Sequence, residues 1–164
     1  MGEVSVRPAR LPEDLAQICA LYAEEVSWHH EHWPGDYRAP DMGGGSLEAE
    51  LSSSADDPGR CLLVAESDSQ VVGVVGAHLR PKPAEGMTRY DGSLVYIGDL
   101  IVTADYRRRG VGARLMEQLE KWARDQGAAT VTLNVHDRNS AARALYDRQG
   151  FRAVHVEMRK DLTA

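Results

Sequence analysis

Cysteine is scarce in this sequence, since only Cys19 and Cys61 occur among its 164 residues. Two cysteines are too few for a disulfide framework or for a four-cysteine metal site. We therefore expect two small buried thiols, of the kind found in cytoplasmic proteins.

Long apolar runs are also missing. No stretch approaches the ~18 residues that a membrane span requires. The first ten residues, MGEVSVRPAR, lack the hydrophobic region of an export signal. We expect a cytoplasmic protein without membrane association. No internal repeat or long linker divides the sequence, and its length fits one domain over residues 1–164.

An excess of positive charge is absent as well, because the net charge is −6. This balance argues against general nucleic-acid binding. Residues 1–100 carry 7 Lys and Arg against 17 Asp and Glu, whereas residues 101–164 carry 12 against 8. A basic C-terminal part suits an anionic ligand, and an acidic N-terminal part suits a cationic one. The alternative is that these are ordinary solvated surface charges.

Hydrophobic periodicity predicts a helix, a short helix and a hairpin in the first half. The stripe of Leu15, Ile18, Cys19, Tyr22 and Val26 is typical of an amphipathic helix. Glycines and prolines predict loops over 29–45 and 81–92. The other predicted elements are a strand over 4–7, a helix over 47–51 capped by Ser46, and hairpin strands over 61–65 and 71–75.

Strands and helices alternate in the second half. The patterns predict strands over 94–102, 130–135 and 151–158, with helices over 110–126 and 139–149. The fold class is therefore mixed α/β or α+β, with helices on both faces of a largely antiparallel sheet.

The most informative segment runs from Val102 to Ala113, where a strand ends, three arginines follow and a helix opens at two glycines. Unpaired N–H groups and the positive end of the dipole make a helix N-terminus a phosphate site. A Walker loop is absent, and Leu115 stands where a Rossmann fingerprint needs glycine. The alternative is a glycine-rich helix start with surface arginines.

Two motifs carry a family resemblance. Arg107-x-x-Gly110-x-Gly112 after a strand resembles motif A of the GNAT superfamily of N-acetyltransferases. The run from Asn139 to Tyr146, followed by Gly150-Phe151, resembles that family's motif B. Both occur in order and at family spacing, and the resemblance covers roughly residues 94–158.

The resemblance implies acetyl-CoA as co-substrate and a GNAT-like sheet with splayed strands. Pantetheine would pair with the strand at Leu100, Ile101 and Val102, which carries a bulge in the family and diverges from the next strand. The pyrophosphate would lie on the backbone amides of Arg107, Arg108, Arg109, Gly110, Val111, Gly112 and Ala113. Arg108 or Arg109 would reach the 3′-phosphate, and Asn139 would contact the cofactor near the pantetheine.

Acyl transfer to an amine requires a proton acceptor for the ammonium, an oxyanion donor and an acid for the leaving thiolate. Tyr146 holds the family's acid position, and a backbone N–H near Val102 would bind the oxyanion. The base is open, because Gly98 stands where relatives often have glutamate. Asp99 would act through water or only order the loop; His78 and His136 are the alternatives.

Aromatic residues after the first helix predict an acceptor wall. Trp28, Trp33 and Tyr37 lie beside Glu31 and Asp36, and aromatic and acidic contacts suit a cationic amine. The alternative is a loop that packs on the protein and exposes its polar edge to solvent. His29 and His32 share a helix face but lack the zincin spacing, so we expect no metal.

The expected function is therefore N-acetylation of a small cationic amine by direct attack in a ternary complex. Within the enzyme class, the alternative acceptor is a protein lysine or N-terminal amine. A non-catalytic acyl-CoA sensor is the alternative of another class. Because family members often dimerise, a homodimer is a further open expectation.

Overall fold

The computed structural model of the chain describes residues 2–37, 45–53, 56–80 and 92–162. The chain divides into two compact units, Met1–Asn134 and Val135–Ala164. The predicted loop positions 38–44 and 81–91 lie outside the described residues. No helix in the described ranges combines the length and apolar character that crossing a membrane requires.

Within the described residues, the first unit contains a five-stranded sheet and three α-helices. The strands are β1 Ser5–Pro8, β2 Arg60–Ser67, β3 Gln70–Arg80, β4 Leu94–Val102 and β5 Thr130–Leu133. The helices are α1 Leu15–His32, α2 Gly45–Ser53 and α3 Val111–Asp125, and a short 3₁₀ turn covers Ala104–Tyr106.

The strands lie in the order β1-β2-β3-β4-β5. Every neighbouring pair is antiparallel except β4 and β5, which are parallel. This arrangement confirms the predicted mixed and largely antiparallel sheet.

Helices cover both faces of the sheet. Ile18 and Leu21 of α1 pack with Val74 of β3 and Ile101 of β4 in one buried cluster. Leu115 of α3 lies on the opposite face, 3.2 Å from the position that a Cβ on Gly73 would take. Because successive strand residues point to opposite faces, Gly73 and Val74 place the two helices on the two sides.

A bulge interrupts β4 at Gly98. Gly76 of β3 pairs with Asp99, whereas the next residue, Ala77, pairs with Ile97. Over the described residues, β5 pairs with β4 only from Leu94 to Ile97, although β4 continues to Val102. The expected bulge is therefore present, and the pairing with β5 ends just before it, at Ile97.

Helix α1 is longer than predicted, since residues 29–32 belong to it and not to the loop. The apolar stripe ends at Val26. Beyond it, the side chain of His29 lies 3.4 Å from Glu25, one helical turn earlier, and neighbouring aromatic rings pack around the imidazole. Ser46, predicted as a cap, lies inside α2.

Over residues 135–162, the second unit holds one helix, α4 Ser140–Arg148. The strand predicted over 151–158 is wrong, because these residues have no regular secondary structure. Its alternating apolar residues are exposed, with Val156 79% and Met158 90% accessible. Alternation alone identifies a two-faced segment, and strand formation also needs a ladder partner.

Candidate functional site

The helix α3 begins in the way that a phosphate site requires. Gly110 caps it with a φ of 81°, a left-handed conformation that glycine adopts without strain. The N–H groups of the first turn have no partner inside the helix and lie at its positive end. Arg108 and Arg109 flank this start and are exposed, and the guanidinium of Arg109 lies 5.7 Å from the ring centre of Tyr106.

The side chain of Arg107 is directed toward α1. Its Nε donates to the carbonyl of Val102 at 2.7 Å, and its Nη2 donates to Glu24 at 3.3 Å. The guanidinium thus links the end of β4 to the helix α1. A cofactor on this loop would therefore meet the backbone of Arg107 more readily than its guanidinium.

Glu24 fastens α1 to the turn after β4. Its carboxylate accepts from the hydroxyl of Thr103 at 2.9 Å and from the N–H of Ala104 at 3.0 Å. Together with Arg107, these contacts fix the second half of α1 beside the end of β4.

Asp99, predicted as a base acting through water or as an ordering residue, lies on the same face as α1. The hydroxyl of Tyr22 donates to its Oδ2 at 2.9 Å. Burial raises the pKa of Asp99, and the Tyr22 hydrogen bond opposes this change. Burial and the neighbouring Asp99 charge raise the pKa of Tyr22 well above its usual value. Both groups are therefore half-desolvated where β4 leaves β5.

A second carboxylate, Glu25, lies in the same region. Its Oε1 is 3.4 Å from Nε2 of His29, and its Oε2 is 4.0 Å from Nη2 of Arg107. Burial raises the pKa of Glu25, and the Arg107 charge partly offsets that rise.

The predicted acceptor residues form one aromatic cluster. The ring of Trp33 lies 5.1 Å from Trp28 and 5.9 Å from Tyr37. His29 is central to it, because its ring stacks on Tyr37 at 4.6 Å and an angle of 11°. The Arg107 guanidinium lies 5.7 Å from the Trp28 ring, so the cluster adjoins the end of β4.

The side chains of the strand predicted to bind pantetheine differ in how deeply they are buried. Leu100 and Val102 are half-buried, whereas the Ile101 side chain is only 2% accessible and belongs to the core. Ile101 could therefore serve a cofactor only through its backbone.

The alternative base His78 lies in the other half of β3, opposite Tyr96. Arg80 donates from Nε to its Nε2 at 2.9 Å. Burial, Arg80 and Arg60 lower the pKa of His78. The Tyr96 hydroxyl accepts from the amide of Asn134 at 3.1 Å.

The remaining predicted residues belong to the second unit. Asn139 caps α4, and its side chain accepts from the N–H of Ala142 at 3.1 Å. Tyr146 is half-buried, and its ring lies 5.7 Å from Phe151. The other alternative base, His136, has its Nδ1 3.3 Å from the carboxylate of Asp137.

The described residues include no group of three or more His, Cys, Asp and Glu that could hold a metal ion. The histidine pair considered as metal ligands from the sequence, His29 and His32, contacts other protein groups. His32 contacts the carbonyl of Trp28 at 2.8 Å, and His29 faces Glu25.

Sequence reasoning missed Tyr22, Glu24 and Glu25 as site residues. A signal was present, since Tyr22, Glu25 and His29 follow Ile18 at helical spacing and continue its buried stripe. Polar residues that continue an apolar face are candidates for a functional role.

The comparisons with known proteins agree with these features. The model of the acetyltransferase (GNAT) family matches residues 15–151. N-acetyltransferase 8 from Homo sapiens is 36% identical over 57% of this chain and 39% of its own length. Aminoglycoside N(6′)-acetyltransferase type 1 from Klebsiella aerogenes is 28% identical over 91% of this chain and 90% of its own.

The chain spans less than half the length of several curated relatives that it matches, from 39% to 48%. Among solved structures, that of AAC(6′)-Iy in complex with a bisubstrate analogue, CoA-S-monomethyl-acetylneamine, has a TM-score of 0.71. It is 17% identical and covers 99% of both chains, which supports the similarity of fold.

Proposed function

The chain belongs to the GNAT family of acetyltransferases, and from that premise we propose that it transfers the acetyl group of acetyl-CoA to a primary amine of a small cationic metabolite. The amine attacks directly, in a ternary complex of protein, acetyl-CoA and acceptor. The match of the family model crosses the boundary between the two units and supports treating residues 1–164 as one domain. Two free cysteines are compatible with a cytoplasmic location, which is part of this proposal.

The observation that carries the proposal is the end of the β4–β5 pairing at the bulge of β4, beyond which β4 continues. The Gly98 bulge lies directly after the last paired residues, Ile97 and Leu133. From there β4 continues to Val102 with an edge that a pantetheine arm would pair with through backbone hydrogen bonds. The start of α3, at Val111, follows nine residues later and would take the pyrophosphate.

We assign the cofactor contacts accordingly. Leu100, Ile101 and Val102 would bind pantetheine through their backbone. The amides of residues 107–113 would bind the pyrophosphate, and Arg108 or Arg109 the 3′-phosphate. The motif B resemblance supports a contact from Asn139.

The chemistry needs three proton transfers. The ammonium of the acceptor loses a proton to a base, and the free amine nitrogen then forms a bond to the thioester carbonyl carbon. The N–H near Val102 would stabilise the oxyanion. When the C–S bond breaks, the hydroxyl of Tyr146 gives its proton to the CoA thiolate, and the surplus proton on the new amide nitrogen restores the Tyr146 hydroxyl. Asp99 either accepts the ammonium proton through a water or orders the strand end.

Two features support a small cationic acceptor. The relative matched over 90% of its length is named for aminoglycosides, and residues 1–100 carry ten more acidic than basic side chains. The aromatic cluster of Trp28, Trp33 and Tyr37 would hold the amine by cation–π contacts. Protein amines are the alternative acceptor, and a homodimer is compatible with either.

The first experiment measures CoA release from acetyl-CoA with a thiol reagent. The acceptor panel contains polyamines, aminoglycosides, amino acids and lysine peptides. We expect release with one class of small cationic amine. Release with peptides alone would favour protein acetylation. Acetyl-CoA binding without release on any amine would favour the sensor alternative and contradict the proposal.

The second experiment replaces Tyr146 with Phe. We expect turnover to fall about 100-fold or more, because an acid for the thiolate is lost. Acetyl-CoA affinity, measured by calorimetry, should hardly change. Tyr106→Phe is the matched control, since it removes a hydroxyl with no proposed role. An unchanged rate in Tyr146→Phe would remove this residue from the mechanism.

A further inference from the structure

Three polar residues follow one stripe of α1 into the candidate site. Tyr22, Glu25 and His29 continue the face on which Ile18 is buried in the core. The first of them donates a hydrogen bond to Asp99 of β4. The stripe therefore runs from the core past Asp99 of β4 toward Arg107, which follows the end of that strand.

Glu25 lies between two nitrogen groups on this stripe. Its two carboxylate oxygens face Nε2 of His29 at 3.4 Å and Nη2 of Arg107 at 4.0 Å. Arg107 in turn donates to the carbonyl of Val102. A continuous series of polar contacts thus links the end of β4 to the imidazole of His29.

Aromatic rings fix the imidazole of His29 in place. It stacks on Tyr37, and the rings of Trp28 and Trp33 lie 5.3 Å and 5.4 Å away. The side chains of His29 and Glu25 are nevertheless 21% and 24% accessible, so a ligand at the aromatic cluster can reach them. An imidazole beside a carboxylate is a group that exchanges protons near neutral pH.

At the bulge of β4, Gly98 has no side chain, and the carboxylate of the next residue, Asp99, accepts a hydrogen bond from Tyr22, which fits a role for Asp99 in ordering the strand end. On the premise of the proposed N-acetyltransferase function, we propose that the Glu25–His29 pair of α1 accepts the proton of the substrate ammonium. The proton moves from the ammonium nitrogen to the pair, and the freed amine attacks the thioester. The pair returns the proton to water after the amide leaves.

Several charged and titratable groups surround the pair and set its titration together with it. These are Glu24 on the same helix, Asp99 of β4, Arg107 after β4, and Tyr37 after α1. Arg107 contacts the Glu25 side of the pair, and Tyr37 covers the His29 side.

The test is the pH dependence of kcat/KM with an acceptor that the wild-type protein turns over. In His29→Gln we expect kcat to fall about 100-fold. We also expect the increase of kcat/KM with pH in the neutral range to disappear. In Glu25→Gln we expect a smaller kcat. We also expect the increase of kcat/KM to occur at lower pH, because the imidazolium loses its neighbouring negative charge.

Two matched controls separate this role from a structural one. Glu120→Gln removes an equal charge on α3, where the carboxylate pairs with Arg124, and His32→Gln removes the other histidine that packs on Trp28. Neither should move the rise with pH. Circular dichroism melts verify that all four variants fold.

Failure of this inference is distinguishable from failure of the proposed function. A wild-type protein that turns over an amine, with the same pH profile in Glu25→Gln and His29→Gln, would overturn the role of the pair and leave the function standing. A wild-type protein that binds acetyl-CoA and turns over no amine would overturn the function, and the role of the pair with it.

Discussion

Asp99 and Tyr22 are separated by 77 residues in sequence and meet in one hydrogen bond. The carboxylate is half-buried, and its raised pKa means that the folded state binds a proton more readily than the unfolded chain. Above that pKa, the folded protein bears the cost of desolvating this charge. A residue kept at such a cost is a functional candidate.

The stability of Asp99→Asn tests this interpretation. A carboxyl group whose pKa is higher in the folded state than in the unfolded state stabilises the fold at low pH. This contribution is lost as the pH rises through the folded-state pKa. Asparagine carries no charge and can still accept from Tyr22. We therefore expect Asp99→Asn to melt at a higher temperature than wild type at pH 7.5, with the difference shrinking at acidic pH.

The control is Asp56→Asn at an exposed position, which should change the melting temperature little at either pH. A lower melting temperature for Asp99→Asn at pH 7.5 would show that the ionised carboxylate stabilises the fold, contrary to this account.

At the residue scale, the sequence predicts neighbours along a helix but not distant partners. The motif context predicts a role for Asp99, and the aromatic residues after the first helix predict an acceptor wall of Trp28, Trp33 and Tyr37, which the structure brings together in one cluster. The partners Tyr22 and Glu24 lie 77 and 83 residues from the groups they bind, Asp99 and Arg107. Only the tertiary fold brings such pairs together, so no local pattern could reveal them.

At the element scale, α3 shows what periodicity predicts well. Leu115 and Leu119 are fully buried on the expected face. Glycines with positive φ stand at both ends of the helix, Gly110 at 81° and Gly127 at 68°. Neither has another group within 4 Å of the place where a Cβ would lie. Any effect of alanine there comes from backbone strain alone.

These two glycines make a matched pair for testing the phosphate site. Each change to alanine should cost about 1 kcal/mol of unfolding free energy, because alanine resists positive φ. Only Gly110→Ala should weaken acetyl-CoA binding, since only that end would hold the pyrophosphate. Calorimetric titration and denaturant unfolding measure the two quantities. Equal acetyl-CoA affinity in both variants would contradict the assigned site.

The elements that sequence patterns mispredicted depend on tertiary partners. Residues 29–32 read as a loop because the apolar stripe ends, yet ring packing and Glu25 extend α1 through them. Residues 151–158 read as a strand because apolar residues alternate, yet a strand requires another strand to pair with. Periodicity reports which face is apolar and does not report what covers it.

At the scale of the whole molecule, Arg7 joins three elements of the first unit. From β1 it donates to Asp14, which precedes α1, at 2.6 Å and 3.0 Å. It also donates to Glu66 of β2. The Arg7 guanidinium holds the pKa of Asp14 below its usual value. Because Asp14 is only 5% accessible, its charge depends on this partner.

Replacing Arg7 with Met should therefore destabilise the fold by about 3 kcal/mol at neutral pH, since a buried carboxylate loses its cation. A carboxyl group whose pKa is lower in the folded state stabilises the fold at pH values above its unfolded-state pKa. This contribution is lost as the pH falls through the folded-state pKa. The difference between wild type and Arg7→Met should accordingly shrink as pH falls through the acidic range in denaturant unfolding.

Arg124→Met provides the comparison, because its ion pair with Glu120 is on the surface of α3. That change should cost at most about 0.5 kcal/mol. Equal losses in the two arginine variants would show that the Arg7 contacts do not organise the fold.

The central claim, transfer of acetyl from acetyl-CoA to a small cationic amine, is tested most directly by identifying the acetylated product. The protein is incubated with acetyl-CoA and an equimolar mixture of polyamines, aminoglycosides, amino acids and lysine peptides, and the mixture is analysed by mass spectrometry. We predict that one class of small amine gains an acetyl group, with one CoA released for each. Acetylation of the peptides alone, or CoA release without any acetylated amine, would contradict the account.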